Sequence, residues 1–276
     1  MADGIQKKWD SFLRDERFAE INGFDVRDHL EPGVWPGNSG QIDPEIRERL
    51  MEIVKNFLKG LDMEGLDIKD VVLTGSLANY NWSRYSDFDL HVIVDFDDVD
   101  ENTELVRDYF NSKKSNWNNK HDIRILGYEV EIYIENQGEP HTSTGIYSLV
   151  NDKWLTKPYR AKPKIDWSGV YSKAAFIADE IDRVGKFFDN QKYEKAFKTA
   201  DRVKEKIRKF RKCGLEDAGQ YSSENLAFKL LRRSDYLQKL SSLRIVAYDR
   251  MMSIKNQNKR ELSERELVEK WKDFLR

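Results

Sequence analysis

The sequence predicts an α+β protein: a sheet flanked by helices within residues 1–155, followed by a basic helical domain over residues 156–276. Three observations carry this expectation. In "YEVEIYIE", Val130, Ile132 and Ile134 fall on one side of a strand, and Glu129, Glu131, Tyr133 and Glu135 on the other. After the two-proline connector "LTKPYRAKPKIDW" the apolar period becomes helical and stays so to the end of the sequence. The charge also reverses. Residues 1–150 hold 16 Lys and Arg against 30 Asp and Glu, and residues 151–276 hold 31 against 19, within a formal net charge of -2.

Taken in order, Ile5, Trp9, Phe12, Leu13 and Phe18 form a rough helical stripe over residues 5–20, part of a helical extension before residue 40. The loop "NGFDVRDHLEPGVWPGNSGQ" follows. Asp43 reads as an N-cap with Pro44 at the first helical position, and Ile46, Leu50, Ile53, Val54, Phe57 and Leu58 form the buried stripe of a helix that stops at Gly60. Val71–Thr74 and Asp87–Val94 read as strands, joined by a turn and one short helix. Acidic residues 97–104 open a helix that runs to about Ser112, and "KKSNWNNK" reads as a polar loop. "HDIRIL" and "YEVEIYIE" flank Gly127 as a hairpin. Four helices are expected beyond the connector, near 168–189, 191–212, 222–256 and 262–275.

Composition excludes some classes of function. The chain is 39% apolar and 35% charged, with a mean hydropathy of -0.75, and no run approaches the roughly 18 apolar residues of a membrane helix. The first residues carry acids among their bases and no continuous apolar stretch, so no secretory signal is read. The single cysteine, Cys213, excludes an internal disulfide framework and a cysteine zinc site, and fits the reducing cytoplasm.

The chemistry concentrates in "LTGSLANYNWSRYSDFDLHVIV", Leu73–Val94. A strand ending at Thr74 and running into Gly75-Ser76 presents backbone N–H groups and a hydroxyl outward, a turn able to hold phosphate. On a strand, Asp87 and Asp89 project from one face with Cα atoms about 6–7 Å apart. Like charges so placed repel unless a cation lies between them, and Mg²⁺ takes hard oxygen ligands from a few carboxylates, phosphates and water. Arg84, in the loop before the two aspartates, is a candidate triphosphate contact. The histidines, at 29, 91, 121 and 141, are too scattered for a metal cluster, and His91 reads as structural.

Gly75-Ser76, ten intervening residues, Asp87-Phe88-Asp89-Leu90 and a later strand with an acid between apolar residues together resemble the nucleotidyltransferase superfamily typified by DNA polymerase beta. The resemblance covers about residues 70–135. It implies a mixed sheet flanked by helices and transfer of NMP from an NTP, most commonly ATP, to a hydroxyl with release of pyrophosphate. Carried over residue by residue, it implies that Gly75 and Ser76 hold the nucleotide and that Asp87 and Asp89 bind two Mg²⁺ ions, or Mn²⁺. A third acid completes the site and helps to activate the acceptor hydroxyl. Glu131 is the preferred match, from its place between Val130 and Ile132, with Glu129 as the alternative.

In the basic half, Tyr193, Phe197, Ala200, Val203, Ile207 and Phe210 are expected as a core stripe, with Lys195, Lys198, Arg202, Lys206, Lys209 and Arg211 exposed around it. Such a surface suits an RNA or nucleotide acceptor. A catalytically inactive nucleotide- or RNA-binding module of the same fold, an antitoxin or regulatory component, is the competing expectation.

Overall fold

The computed structural model describes residues 16–18, 24–37, 40–61, 63, 65–139 and 143–253. Contacts divide the chain into two compact units, Glu20–Ile165 and Met1–Ala19 with Asp166–Arg276. The expected helices over 5–20 and 262–275 fall almost entirely outside the described residues. Among the described residues no helix is long and apolar enough to cross a membrane.

The first unit is built on six strands: β1 (Ile68–Thr74), β2 (Asp87–Val94), β3 (Arg124–Ile125), β4 (Tyr128–Asn136), β5 (Ile146–Ser148) and β6 (Lys153–Thr156). They lie in the order β3-β4-β2-β1-β5-β6. β2 and β4 are parallel, and every other neighbouring pair is antiparallel, so the sheet is mixed. A helical part follows the sheet, as the sequence predicts.

Strict alternation in β2 decides which face carries chemistry. Phe88, Leu90, Val92 and Val94 are fully buried, whereas Asp87, Asp89, His91 and Ile93 are half-buried on the opposite face. Helix α1 (Pro44–Lys59) covers the apolar side with Ile46, Leu50, Ile53, Val54 and Phe57. Its start follows the sequence signals: Asp43 Oδ1 accepts from Glu45 N and Ile46 N at 2.9 and 3.1 Å, and Pro44 needs no acceptor for an N–H. The β3–β4 hairpin turns at Leu126 and Gly127, with φ of 53° and 86°, the left-handed pair of a two-residue hairpin turn.

Two expectations in this unit are corrected. Residues between β1 and β2 form successive turns with no helix. The stretch "KKSNWNNK" is helical, because α2 runs from Thr103 to Lys120. Its last turns are fixed by tertiary partners: Trp117 packs edge-on against Phe57 of α1, and the Asn118 side chain bonds both the N–H and the C=O of Ile132 at 3.1 Å. Beyond the two-residue β3, β4 is an edge strand, and Asn118 occupies the open backbone groups there.

Residues 24–37 have no helix, but they insert Val34 and Trp35 into the core. Trp35 stacks on Trp154 at 4.5 Å and meets Tyr147 edge-on at 4.9 Å. Its indole N–H donates to Leu77 O at 2.7 Å, which ties the turn after β1 to the core.

In the second unit the helices are α3 (Trp167–Asp189), α4 (Tyr193–Ala218), α5 (Ser223–Arg233) and α6 (Tyr236–Met252). The expected helix over 222–256 is thus two helices. The break has no glycine or proline to announce it: Asp235 adopts φ 60°, and Ser234 Oγ donates to Leu230 O at 2.8 Å. The buried stripe of α4 is also shifted from the expected one. Ala196, Thr199, Ala200, Val203, Ile207 and Gly214 are buried, and small residues at four of these positions let neighbouring helices approach. Tyr193, Phe197 and Phe210 are only half-buried. Phe197 instead lies under the Arg244 guanidinium at 5.1 Å.

Candidate active site

The parallel pairing of β2 with β4 brings the acids together. Asp87 is the register partner of Glu129 and Asp89 that of Glu131, while Thr74, the last residue of β1, is paired with Asp89 on the other side. One oxygen from each of Asp87, Asp89 and Glu131 lies within 4.8 Å of the others, and all three side chains are half-buried. Glu129 does not join them. It is turned to the β3 side, 3.7 Å from Arg124 Nη2.

Gly75 abuts this cluster. Its φ is +74°, and a Cβ built on it would lie 1.8 Å from Asp89 Oδ2. Only glycine permits the chain to leave β1 at that distance from the carboxylate. Ser76 Oγ donates to Ser86 Oγ at 2.7 Å, and Ser86 Oγ also accepts from Ser83 N at 2.9 Å. The loop from Ser76 to Ser86 is therefore closed on itself, with Ser83 and Ser86 buried. Arg84 lies away from this closure, exposed, with Nη2 donating to Tyr85 OH at 2.6 Å and the guanidinium 4.8 Å from the Tyr85 ring centre.

Three side chains beside the acids escaped the sequence reading as parts of the site. Tyr133 follows Glu131 on the same face of β4 and donates its hydroxyl to Glu131 Oε2. Burial, and then that hydrogen bond, push the Tyr133 hydroxyl far above the ordinary tyrosine range, with the charges of Glu131, Asp89 and Asp87 acting in the same direction. His91, register partner of Tyr133, stacks on its ring at 4.8 Å and 17°, and His91 Nδ1 is 2.6 Å from Glu135 Oε1. Lys114 of α2 places Nζ 4.5 Å from the same ring. Burial lowers the Lys114 ammonium below its usual range, opposed by Glu131 and Glu135. The period-two pattern places Tyr133 beside Glu131. Lys114 had no such signal, because its segment reads as a loop.

A two-strand acid cluster beside a glycine turn is an arrangement of hard oxygen donors suited to a divalent cation. The same segment matches a family model. Residues 51–148 fit the description "Nucleotidyltransferase domain". This segment is a nucleotidyltransferase domain. The match spans most of α1, all of β1–β4, and β5, so Gly75, Ser76, Asp87, Asp89 and Glu131 all lie inside it. Neither the curated proteins nor the solved structures contain a match to the chain.

Proposed function

We propose that the nucleotidyltransferase domain catalyses transfer of NMP from an NTP, with ATP the first candidate, to a hydroxyl acceptor, releasing pyrophosphate. The observation that carries this reading is the convergence of Asp87, Asp89 and Glu131 beside a glycine that a Cβ would drive into Asp89.

The hard oxygen donors of Asp87, Asp89 and Glu131 would suit two Mg²⁺ ions, or Mn²⁺ in their place. One oxygen of each of the three carboxylates lies within 4.8 Å of the others. When bound, such ions supply charge stabilisation to the attacking and leaving oxygens of an in-line displacement. Asp87 and Asp89 would hold them. Glu131 completes the set and takes up the acceptor hydroxyl, orienting it and drawing on its proton. Gly75 and Ser76, beside Asp89, are the residues we assign to the phosphates, and Arg84 would reach the triphosphate by exchanging its bond to Tyr85 OH. Phosphoryl chemistry of this kind needs little covalent help from protein, since positioning and charge neutralisation provide most of the barrier reduction.

An RNA end is the acceptor class we favour, in the cytoplasm that a single exposed cysteine suits. Lys195, Lys198, Arg202 and Lys209 are exposed along α4, although Lys198 and Lys206 are partly neutralised by Glu194 and Glu180 at 2.6 and 2.8 Å. Cations on one helix surface release counterions from a phosphate backbone.

The test is incubation of the full chain with each labelled NTP and Mg²⁺, alone and with total RNA. Pyrophosphate release or label transfer that the double variant Asp87→Ala/Asp89→Ala abolishes is the expected result. NTP binding without turnover in both proteins would instead favour an inactive binding module. The chemical identity of the labelled product names the acceptor.

A further inference from the structure

We infer that Tyr133 is a positioning residue whose hydroxyl fixes the Glu131 carboxylate against the two aspartates. The inference rests on the reading of Asp87, Asp89 and Glu131 as a divalent-cation site.

Glu131 is the member of the cluster most in need of such help. A glutamate has one more rotatable bond than an aspartate, so holding it in one rotamer costs more side-chain entropy. Asp89 sits across from it in register, and Asp87 one step away on the same face. Both carboxylates repel it until a cation arrives, and on an open strand face the favoured response is to rotate away. The Tyr133 hydroxyl opposes this by donating to Glu131 Oε2.

The donor is itself held from two further elements. His91 on β2 lies parallel to the Tyr133 ring at 4.8 Å and is tied to Glu135 through Nδ1 at 2.6 Å. Lys114 on α2 sets its ammonium 4.5 Å from the ring centre. A ring so constrained has little freedom to turn its hydroxyl elsewhere, and the restraint passes to Glu131 through one bond.

The chemistry of the donor is also suited to the task. A lysine or arginine in the same place would orient the carboxylate but bring a positive charge that competes with the cation. A phenol orients it and stays neutral. Lys114 is placed against the ring of Tyr133, the arrangement that stabilises an ammonium on a π-face. Outer partners that orient metal-binding carboxylates typically change metal affinity or activity by 10–100-fold.

The experiment is Mn²⁺ binding to the full chain, followed by electron paramagnetic resonance of the free ion, for wild type, Tyr133→Phe, Glu131→Gln and the double variant. Tyr133→Phe keeps the ring, and with it the His91 stack and the Lys114 contact. We expect its Mn²⁺ dissociation constant to rise about tenfold, with circular dichroism and metal-free melting temperature unchanged. In the Glu131→Gln background the same change adds nothing, since the hydroxyl then has no carboxylate to position. An unchanged Mn²⁺ affinity in Tyr133→Phe overturns the inference and leaves the cation site standing, as does a loss equally large in both backgrounds. Absence of Mn²⁺ binding by the wild type overturns the cation site itself, and the inference with it.

Discussion

Gly75 and Asp89 occupy adjoining space: the position of a Cβ on the glycine falls 1.8 Å from Asp89 Oδ2. The turn that leaves β1 and the acid carried by β2 are consequently one construction, set by the Thr74–Asp89 register pair. Gly75→Ala must both displace the carboxylate and place a side chain at φ +74°. The left-handed backbone alone costs an alanine about 1–2 kcal/mol. We expect a loss of that order in chemical denaturation, together with loss of nucleotidyl transfer beyond what the stability change explains. An active, equally stable Gly75→Ala would mean that the turn and Asp89 move independently.

The shared face of Asp87 and Asp89 was readable in advance because it follows from backbone periodicity. Two aspartates one residue apart in an apolar run share a strand face, and β2 has the bounds the sequence implies, Asp87–Val94. Helix α1 was equally legible, since its cap, its proline and its stripe agree. What the sequence concealed depends on distant partners. Lys113–Lys120 carries only one large apolar residue, and it is helical because Lys114, Trp117 and Asn118 find Tyr133, Phe57 and Ile132. The α5–α6 break rests on Asp235 in a left-handed conformation, which no local composition demanded. In the sequence Glu131 was preferred to Glu129 only from its place between Val130 and Ile132. Arg124, across the hairpin, separates them.

Asp89→Asn should separate stability from function. The oxygens of Asp87, Asp89 and Glu131 lie within 4.8 Å of one another, and two unit charges about 4 Å apart repel by about 1 kcal/mol even at the dielectric of water. Neutralising one relieves that repulsion in the absence of metal. The variant should therefore melt at or above the wild-type temperature in EDTA, yet fail to show the further rise expected of the wild type on adding Mg²⁺. A lower melting point in EDTA would show that Asp89 is needed for the fold.

The two glutamates of β4 should respond oppositely. Glu129 is 44% exposed and pairs with Arg124 at 3.7 Å, an arrangement that contributes at most about 1 kcal/mol. Glu129→Gln should leave turnover and the Mg²⁺ concentration for half-maximal activity unchanged. Glu131→Gln should depress turnover by at least tenfold at saturating NTP. Equal losses in the two variants would point to bulk charge on the strand instead of a defined third ligand.

Alkaline pH should weaken the first unit through Tyr147. Burial, and then its hydrogen bond to Asp152 at 2.7 Å, push the hydroxyl up to about 12 from an ordinary value of 10.0. The folded state thus keeps the phenol neutral where the unfolded chain would ionise it. Its contribution is complete below about pH 10 and is lost as pH climbs toward about 12. Denaturation midpoints measured across that interval should fall for the wild type and fall less for Tyr147→Phe, and parallel slopes would remove Tyr147 as the cause.

Asn118 offers a test of the helix that the sequence disguised. Its side chain donates Nδ2 to Ile132 O and accepts from Ile132 N through Oδ1, both at 3.1 Å. These backbone groups lie on the open side of β4, one residue beyond Glu131. Asn118→Ala leaves both without that partner, a cost of about 1–3 kcal/mol for groups shielded from water. It also exposes an edge strand able to pair with another chain. Lower stability with faster aggregation on warming is the expected pair of outcomes, and Asn118→Asp should restore only the bond to the Ile132 N–H. Because Glu131 hangs from the same strand, amide exchange at Ile132 should rise in Asn118→Ala together with the Mg²⁺ concentration needed for activity. If exchange rises while that requirement stays fixed, the edge and the acid cluster are mechanically separate.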